Sequence, residues 1–310
     1  MVSPGRVAFT IFNLDIMWYG ILIGIGFMLA AYIAYKRAPK HGIDPDFWLD
    51  IVIFMIPSAI IGARAYYVLF SLDQYMGNWK EVFNVRGGGL AIHGGLILCF
   101  LVAYILCRVK KQNFVALFDL AAAVIPLGQA IGRWGNFFNE EAHGVATDLP
   151  WAQIINGTGY HPTFLYESIW CFALFVFLIW FDDHKRSFNG QIIALYMILY
   201  SVERFFVEGL RTDSLMIGPL RQAQVISLAI LVTGMILYII LSKKPDFTPK
   251  YMLAAVEESA DELTDEENAD DNRYDEDADS DSDSAVDDSS VIGDPEESAE
   301  EVDSAEISKE

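Results

Sequence analysis

Seven long apolar segments, separated by short polar ones, account for most of residues 1–250 of this 310-residue chain. They lie near residues 16–35, 51–70, 90–107, 114–132, 163–181, 191–208 and 222–241. A helix needs about 20 mostly apolar residues to cross a bilayer, and these segments have about that length. The pattern predicts an all-α integral membrane protein, built as a bundle of about seven transmembrane helices.

The pattern changes after residue 250, where Asp, Glu and Ser replace the apolar residues. Residues 251–310 hold 25 acidic residues against Arg273 and Lys309, which explains most of the net charge of −21. Such a segment cannot bury enough apolar surface to offset its chain entropy, so we expect a disordered acidic tail. We therefore divide the chain into a membrane domain, residues 1–250, and a tail, residues 251–310. The apolar composition of the whole chain excludes a soluble globular enzyme. The only large block of charge is acidic, which excludes binding to nucleic acid.

Basic residues mark alternate ends of the seven segments. They are Lys36, Arg37 and Lys40 after the first segment, Arg108, Lys110 and Lys111 after the third, Lys185 and Arg186 after the fifth, and Lys243 and Lys244 after the seventh. Lys and Arg near the ends of a span favour the cytoplasmic side. The distribution predicts an N-terminus outside the membrane and a cytoplasmic tail.

Polar residues within the segments gather at one level of the predicted bundle. In that orientation Tyr19, Arg64, His93 and Arg133 all lie near the outer ends of their segments, whereas Asp119 lies at an inner end. Ionisable residues inside a membrane are costly and usually face a polar cavity. We therefore predict a cavity at the level of the headgroups of the outer leaflet. A transporter more often places its site near the midplane.

The chemistry of this cavity follows from its arginines. Tyr200, Arg204, Glu208 and Arg211 are spaced to share one helical face, on which Glu208 can hold a neighbouring arginine. Arg133 and Arg204 come from different segments, and two converging guanidinium groups suit a phosphate. An Arg–Glu pair can also be purely structural, and a lone histidine at a helix start can be a capping or core group. Together they favour displacement at a phospholipid headgroup, with His93 able to transfer a proton.

The polar stretch of residues 132–144, GRWGNFFNEEAHG, follows the fourth segment directly. We expect irregular backbone here, of the kind tolerated at membrane depth where it lines a cavity. A second polar stretch, Asn156-Gly157-Thr158, matches a glycosylation sequon, but we expect it to form a turn.

Six motifs together resemble the bacterial prolipoprotein diacylglyceryl transferase family. The resemblance covers about residues 15 to 242, with the motifs in the order of the family. In addition to residues 132–144, the motifs are Trp18-Tyr19-Gly20, Gly62-x-Arg64-x-x-Tyr67-Val68-Leu69-Phe70, His93-Gly94-Gly95-Leu96, His161-Pro162-x-x-x-Leu165-Tyr166-Glu167 and Tyr200-x-x-x-Arg204-x-x-x-Glu208-x-x-Arg211, followed by Gln224. One departure is Glu140, at a position that is often glycine in the family.

The resemblance implies an enzyme of the bacterial plasma membrane with its active site facing the outer leaflet. It implies transfer of the diacylglyceryl group of phosphatidylglycerol to the lipobox cysteine of prolipoprotein signal peptides, with release of glycerol phosphate. The expected catalytic residues are His93, Arg133, Arg204 and Glu141. The expected substrate-binding residues are Tyr19, Arg64, Asn136, Asn139, Gly144, Tyr200, Glu208 and Arg211. Within these sets, Arg133 and Arg204 are expected to bind phosphate, and His93 to accept the thiol proton.

Three other functions remain as alternatives. A transporter or channel for an anionic solute or lipid predicts internal repeats and a midplane site, and neither is evident. A non-catalytic assembly protein would need neither His93 nor the stretch of residues 132–144. A serine esterase is disfavoured because G-x-S-x-G does not occur in the chain. We expect no metal and no cofactor, since His and Cys form no ligand pattern.

Overall fold

The computed structural model describes residues 1–76, 79–85, 88–212 and 216–243. Seven long helices dominate these residues. They are α1 (Trp18–Arg37), α2 (Pro45–Leu69), α3 (Ile92–Val109), α4 (Phe114–Asn139), α5 (Thr163–His184), α6 (Gln191–Glu208) and α7 (Gln222–Leu241). The predicted helical membrane bundle is therefore confirmed, whereas the acidic tail lies outside the described residues.

Six of these seven helices are long and apolar enough to cross a membrane. Helix α6 is not among them, although we predicted a span over the same residues. It is as long as α3, at 18 residues, but it carries Glu203, Arg204 and Glu208. These charged residues lower the mean hydropathy of α6 and interrupt its apolar pattern. They occur in this helix because they belong to a buried polar site.

Helix α4 runs seven residues beyond the predicted span, so our expectation of irregular backbone over residues 132–144 is wrong for its first eight residues. The glycines of this part serve helix packing. A β-carbon at Gly132 would come within 3.0 Å of the side chain of Ile23, and one at Gly135 would overlap the ring of Tyr19. The irregular backbone begins only at Glu140, which adopts a left-handed conformation with φ of 55°.

Local polar residues fix where two of the helices begin. The side chain of Asp44 accepts a hydrogen bond from the backbone N–H of Asp46, and Pro45 follows at the first helical position of α2. The side chain of Asn113 accepts from the backbone N–H groups of Val115 and Ala116 at the start of α4. Both are standard N-caps, which satisfy donors that have no partner within the helix.

Three short hairpins lie between or before the helices, and we predicted none of their strands. They are β1–β2 (Val7–Ile11 and Leu14–Met17), β3–β4 (Gln153–Ile155 and Thr158–Tyr160) and β5–β6 (Met216–Ile217 and Leu220–Arg221). The predicted turn at Asn156-Gly157 is confirmed, since both residues adopt positive φ between β3 and β4. Strands of two to five residues are too short to give a recognisable alternation in sequence.

Helix α4 lies at the centre of the described bundle and packs against α1, α5 and α6. Of its most apolar 18-residue window, 56% is buried, compared with 11% for α1 and α7. Helices α2 and α3 pack closely on each other, because a β-carbon at either Gly62 or Gly94 would collide with the backbone of the other helix. Small residues at such crossings are typical of membrane helices.

A buried ionic cluster, hereafter the Asp182 cluster, joins the end of α1, the start of α4, the end of α5 and the start of α6. The carboxylate of Asp182 accepts from Arg37 at 2.5 Å, from His41 Nε2 at 3.0 Å and from Arg186 at 3.4 Å. Asp119 accepts from the backbone N–H groups at the start of α6 and lies 3.7 Å from Arg186 Nε. These contacts fix the four helix ends relative to one another.

Candidate active site

Two arginines and one glutamate meet at the opposite end of the same helices, and we call them the arginine clamp. Arg133 extends from the last part of α4, Arg204 from the last turns of α6, and Glu167 from the first turns of α5. Arg133 Nη1 lies 2.8 Å from Glu167 Oε2, and Arg204 Nη1 lies 2.6 Å from Glu167 Oε1. The Glu167 side chain is 2% exposed and the arginines are 20% and 19% exposed. The predicted convergence of Arg133 and Arg204 is thus present in the structure.

Further contacts around the clamp come from α6 and the residues that follow it. Arg204 Nη2 lies 2.8 Å from Glu208 Oε2, one helical turn further along. Arg211 Nε lies 4.0 Å from the same oxygen, and the guanidinium of Arg221 donates to the backbone carbonyl of Glu208. The predicted face of Tyr200, Arg204, Glu208 and Arg211 is therefore present, with Glu208 between two arginines.

Two polar side-chain pairs join α4 to α6. Arg133 Nη2 donates to the hydroxyl of Tyr200 at 3.4 Å, and Gln129 Nε2 donates to the hydroxyl of Tyr196 at 2.9 Å. The two tyrosine rings are stacked, with centroids 5.5 Å apart. Because Gln129 and Tyr196 each lie one turn earlier than Arg133 and Tyr200, the clamp continues as a polar seam toward the middle of the bundle.

A cavity of about 480 Å³ lies beside the clamp, between α1, α3 and α4. Its lining residues are Tyr19, Ile23, Phe27, Ala30, Ile92, Ile125, Gly128, Gln129, Gly132, Arg133 and Asn136. Tyr19, Arg133 and Asn136 are at one end, whereas Phe27, Ala30 and Ile125 lie about two to three turns deeper. The cavity is polar at the clamp and apolar in its depth, which matches a molecule with an anionic head and hydrocarbon chains.

The two asparagines predicted at the site share one carboxylate. The side-chain amides of Asn136 and Asn139 donate to Glu141 Oε1, at 3.0 and 3.1 Å. Asn136 also lines the cavity, so this group forms part of its rim. Glu140 is exposed, while its backbone N–H closes the end of α4. Of the two adjacent carboxylates, it is therefore Glu141 that the structure builds into the site.

Gly144 has a packing role in this structure. Its backbone N–H donates to the carbonyl of His161 at 2.9 Å, and it forms a bridge with Arg211. A β-carbon at Gly144 would come within 2.7 Å of the His161 side chain and 3.2 Å of the Leu210 carbonyl. Glycine here lets the segment after α4 lie between the start of α5 and the end of α6.

Arg64, predicted to bind substrate, is buried and uses its guanidinium to hold the segment between α2 and α3. It donates to the backbone carbonyls of Val82 at 2.8 Å, Gly88 at 2.9 Å and Gly89 at 3.0 Å, and to that of Glu81. Its guanidinium also lies 5.2 Å from the centre of the Tyr75 ring. The structure thus gives Arg64 an architectural role outside the clamp.

His93 lies in the first turn of α3 and is exposed. Its ring is 6.3 Å from the ring of Tyr66, and within the described part of the chain no hydrogen bond or ion pair joins it to Arg133 or Arg204. Its neighbour Ile92 lines the cavity, so the start of α3 borders the space beside the clamp. The structure does not bring His93 into the clamp.

Glu167 belongs to the motif that begins at His161, but we predicted no role for it. Its position at the start of α5, opposite the ends of α4 and α6, was a usable signal, because antiparallel neighbours bring these ends together. Glu203 is a second buried acid near the clamp. It is 5% exposed, and its carboxylate oxygens have no hydrogen-bond partner among the residues that the structure describes.

Chemically, the site combines two guanidinium groups, a bridging carboxylate and an amphiphilic cavity. Guanidinium groups bind phosphate through paired, charge-assisted hydrogen bonds, which are stronger in a water-poor site. The arrangement can bind an anionic lipid headgroup and stabilise negative charge that develops on it.

Comparison with known proteins supports this interpretation. The family model described as prolipoprotein diacylglyceryl transferase matches residues 6–240. A phosphatidylglycerol–prolipoprotein diacylglyceryl transferase of Clostridioides difficile is 54% identical over 239 residues, which cover 77% of this chain and 96% of the relative. The enzymes of the same name from Finegoldia magna and Bacillus cytotoxicus are 52% and 44% identical, covering 76% and 80% of this chain and 94% and 96% of the relatives. The chain therefore belongs to the prolipoprotein diacylglyceryl transferase family.

Proposed function

We propose that this protein transfers the diacylglyceryl group of phosphatidylglycerol to the lipobox cysteine of a prolipoprotein signal peptide. The names of its relatives give the lipid donor, the protein acceptor and the reaction class. The observation that carries the proposal for this chain is the pair of guanidinium groups of Arg133 and Arg204 beside an amphiphilic cavity. That pair fits the single phosphate of the lipid, and the apolar depth of the cavity fits its acyl chains.

The reaction is a displacement at the carbon of the diacylglyceryl group that carries the phosphate. The cysteine thiol loses its proton, and its sulfur forms a bond to this carbon. The carbon–oxygen bond to phosphate breaks, and its electron pair stays with the departing glycerol phosphate. The new negative charge develops beside Arg133 and Arg204, which therefore stabilise the transition state more than the bound lipid.

Other residues at the rim would orient the substrates. Asn136, Asn139 and Glu141 offer amide donors and a carboxylate acceptor to the glycerol hydroxyls of the headgroup. Tyr19 lines the cavity and can hydrogen-bond either substrate. Tyr200 and Glu208 act through the arginines, because each holds an Nη2 group of the clamp.

His93 remains our candidate for the residue that accepts the thiol proton, because α3 begins at the edge of the cavity. The two arginines can also favour the thiolate without a base. We expect His93→Gln to lower turnover by about 100-fold, a usual loss for a missing general base. Near-normal turnover of this variant would exclude the role.

We also propose that the clamp faces the outer leaflet of the bacterial plasma membrane. The basic residues that follow α1, α3, α5 and α7 all lie at the other end of these helices, which supports a cytoplasmic location for that end. A lipobox thiol exported across the membrane would then meet the clamp at headgroup level.

The test uses the purified full chain in detergent with phosphatidylglycerol and a synthetic lipobox peptide. We expect the peptide to gain the mass of one diacylglyceryl group, with release of one glycerol phosphate per peptide. The gain should require the peptide cysteine and should be lost in Arg133→Ala. An intact, lipid-binding protein that gives no mass gain would contradict the proposal and favour a lipid or anion transporter, which vesicles would then test.

A further inference from the structure

Glu167 occupies the place between the two arginines that an anion would take. Its Oε1 accepts a hydrogen bond from Arg204 Nη1, its Oε2 forms an ion pair with Arg133 Nη1, and its side chain is almost fully buried. We propose that Glu167 is the positioning residue of the clamp and its resident anion. It holds both guanidinium groups before the lipid arrives, and the phosphate then competes with it for the same donors. This inference rests on the function proposed above.

The hydrogen bonds of the arginines identify which donors are contested. Both Nη2 groups are engaged on α6, that of Arg133 by Tyr200 and that of Arg204 by Glu208. The two Nη1 groups converge on Glu167, so they are the donors that point toward one common anion. A phosphate that contacts both Nη1 groups therefore shares or displaces the Glu167 carboxylate.

Charge explains why a competing carboxylate is useful in this position. Arg133, Arg204 and Arg211 carry three positive charges, and Glu167 and Glu208 carry two negative charges, which leaves one positive charge to balance a phosphodiester. The reaction adds a second negative charge to the phosphate, because the broken carbon–oxygen bond leaves its electron pair there. With Glu167 present, the net positive charge of the clamp is too small to neutralise the two negative charges of this product, so the product is released. Without Glu167 the remaining charges would match the product and retain it.

Positioning and simple structural support predict opposite effects on product binding. If Glu167 only stabilises the fold, its replacement disorders the arginines and weakens the binding of every anion. If it is the resident anion, its neutral replacement removes a competitor, so glycerol phosphate binds more tightly while turnover falls. The sign of the change in product affinity therefore separates the two roles.

The experiment compares Glu167→Gln, Glu167→Asp and wild type as purified full chains in detergent. For Glu167→Gln we expect kcat to fall by about tenfold, because a product that is bound more tightly leaves the clamp more slowly. We expect its Kd for glycerol phosphate, measured by calorimetry, to tighten by about tenfold. Glu167→Asp keeps the charge but cannot reach both arginines, so we expect about a tenfold loss of kcat with an unchanged Kd.

Glu203→Gln is the matched control, since it makes the same chemical change at a nearby acid that is also buried but has no hydrogen bond within the described residues. Its kcat and Kd should stay within about threefold of wild type. A kcat of Glu167→Gln within threefold of wild type, or a Kd that is unchanged or weaker, would overturn the inference.

If Glu167→Gln does not fold, Glu167→Asp decides alone. A tenfold loss of kcat with wild-type Kd supports the inference, and wild-type kcat overturns it. Failure of the wild type to modify the peptide would instead count against the proposed function, because the calorimetric Kd values test the clamp without any turnover.

Discussion

At the scale of single residues, Glu140 shows how backbone conformation explains a departure from the family pattern. It ends α4 with φ of 55° and ψ of 37°, and its backbone N–H bonds to the carbonyls of Asn136 and Phe137. Residues with a β-carbon adopt this left-handed conformation at a cost of about 1 kcal/mol, whereas glycine adopts it freely. A glycine at this position would therefore end the helix without the cost that Glu140 carries.

We predict that Glu140→Gly leaves activity unchanged and raises the free energy of unfolding by about 0.5–1 kcal/mol.

The neighbouring substitution, Glu141→Gln, should act on the site instead. It removes the charged acceptor shared by Asn136 and Asn139, and we expect about a tenfold loss of kcat/KM for phosphatidylglycerol. Thermal unfolding and steady-state kinetics measure both effects, and loss of activity in Glu140→Gly would contradict the separation of roles.

At the scale of the element, α4 carries one side of the cavity, and its glycines are not equivalent. A β-carbon at Gly135 would overlap the ring of Tyr19, whereas the nearest atom to one at Gly128 would be 3.6 Å away. Both residues lie on the face toward α1.

We predict that Gly135→Ala displaces Tyr19, destabilises the protein by about 1–3 kcal/mol and raises KM for phosphatidylglycerol. Gly128→Ala is the control and should be neutral or stabilising by up to about 1 kcal/mol, because alanine is the better helix former. Equal effects of the two substitutions on unfolding and KM would show that the overlap with Tyr19 does not matter.

Apolar periodicity was sufficient to predict the seven long helices, because a segment of about 20 apolar residues has few alternatives to a membrane helix. It also placed Arg133 and Arg204 at one level of the bundle. It could not separate binding from architecture, however. The contacts of Arg64 and Gly144 are with backbone carbonyls and neighbouring chain, and their part in substrate binding stays a prediction. The role of Glu167 depends on three helix ends meeting. The order of the spans places these ends on one side of the bundle, but it does not show which side chains are in contact.

At the scale of the whole molecule, two buried polar groups lie at opposite ends of α4, α5 and α6. The arginine clamp joins one set of ends and the Asp182 cluster joins the other. Glu167 and Asp182 are fifteen residues apart on α5, or about 22 Å at the rise of an α-helix. Of the Asp182 cluster, only Asp119 was predicted to be an ionisable residue inside a span. The other members follow a span and resemble ordinary charged residues at a helix end.

This separation predicts that the Asp182 cluster controls stability without affecting the chemistry. In the cluster, Arg37 and Arg186 are balanced by Asp119 and Asp182, so loss of either carboxylate leaves a buried positive charge. Asp183 lies beside the cluster and forms ion pairs with Arg37 and the exposed Lys40. Asp182 is 2% exposed and Asp183 is 26% exposed. We expect Asp182→Asn to lower the free energy of unfolding by about 3 kcal/mol or more, and Asp183→Asn by about 1 kcal/mol.

Both variants should keep the wild-type KM for phosphatidylglycerol when assayed below their unfolding temperatures, because the clamp is held by its own contacts at the far end of α5. Thermal unfolding in detergent measures the stability of the two variants, and peptide modification at several lipid concentrations measures their KM. A changed KM in Asp182→Asn would mean that the two ends of the bundle are coupled through α4, α5 and α6. An unfolding temperature equal to that of wild type would mean that the cluster does not hold the helix ends together.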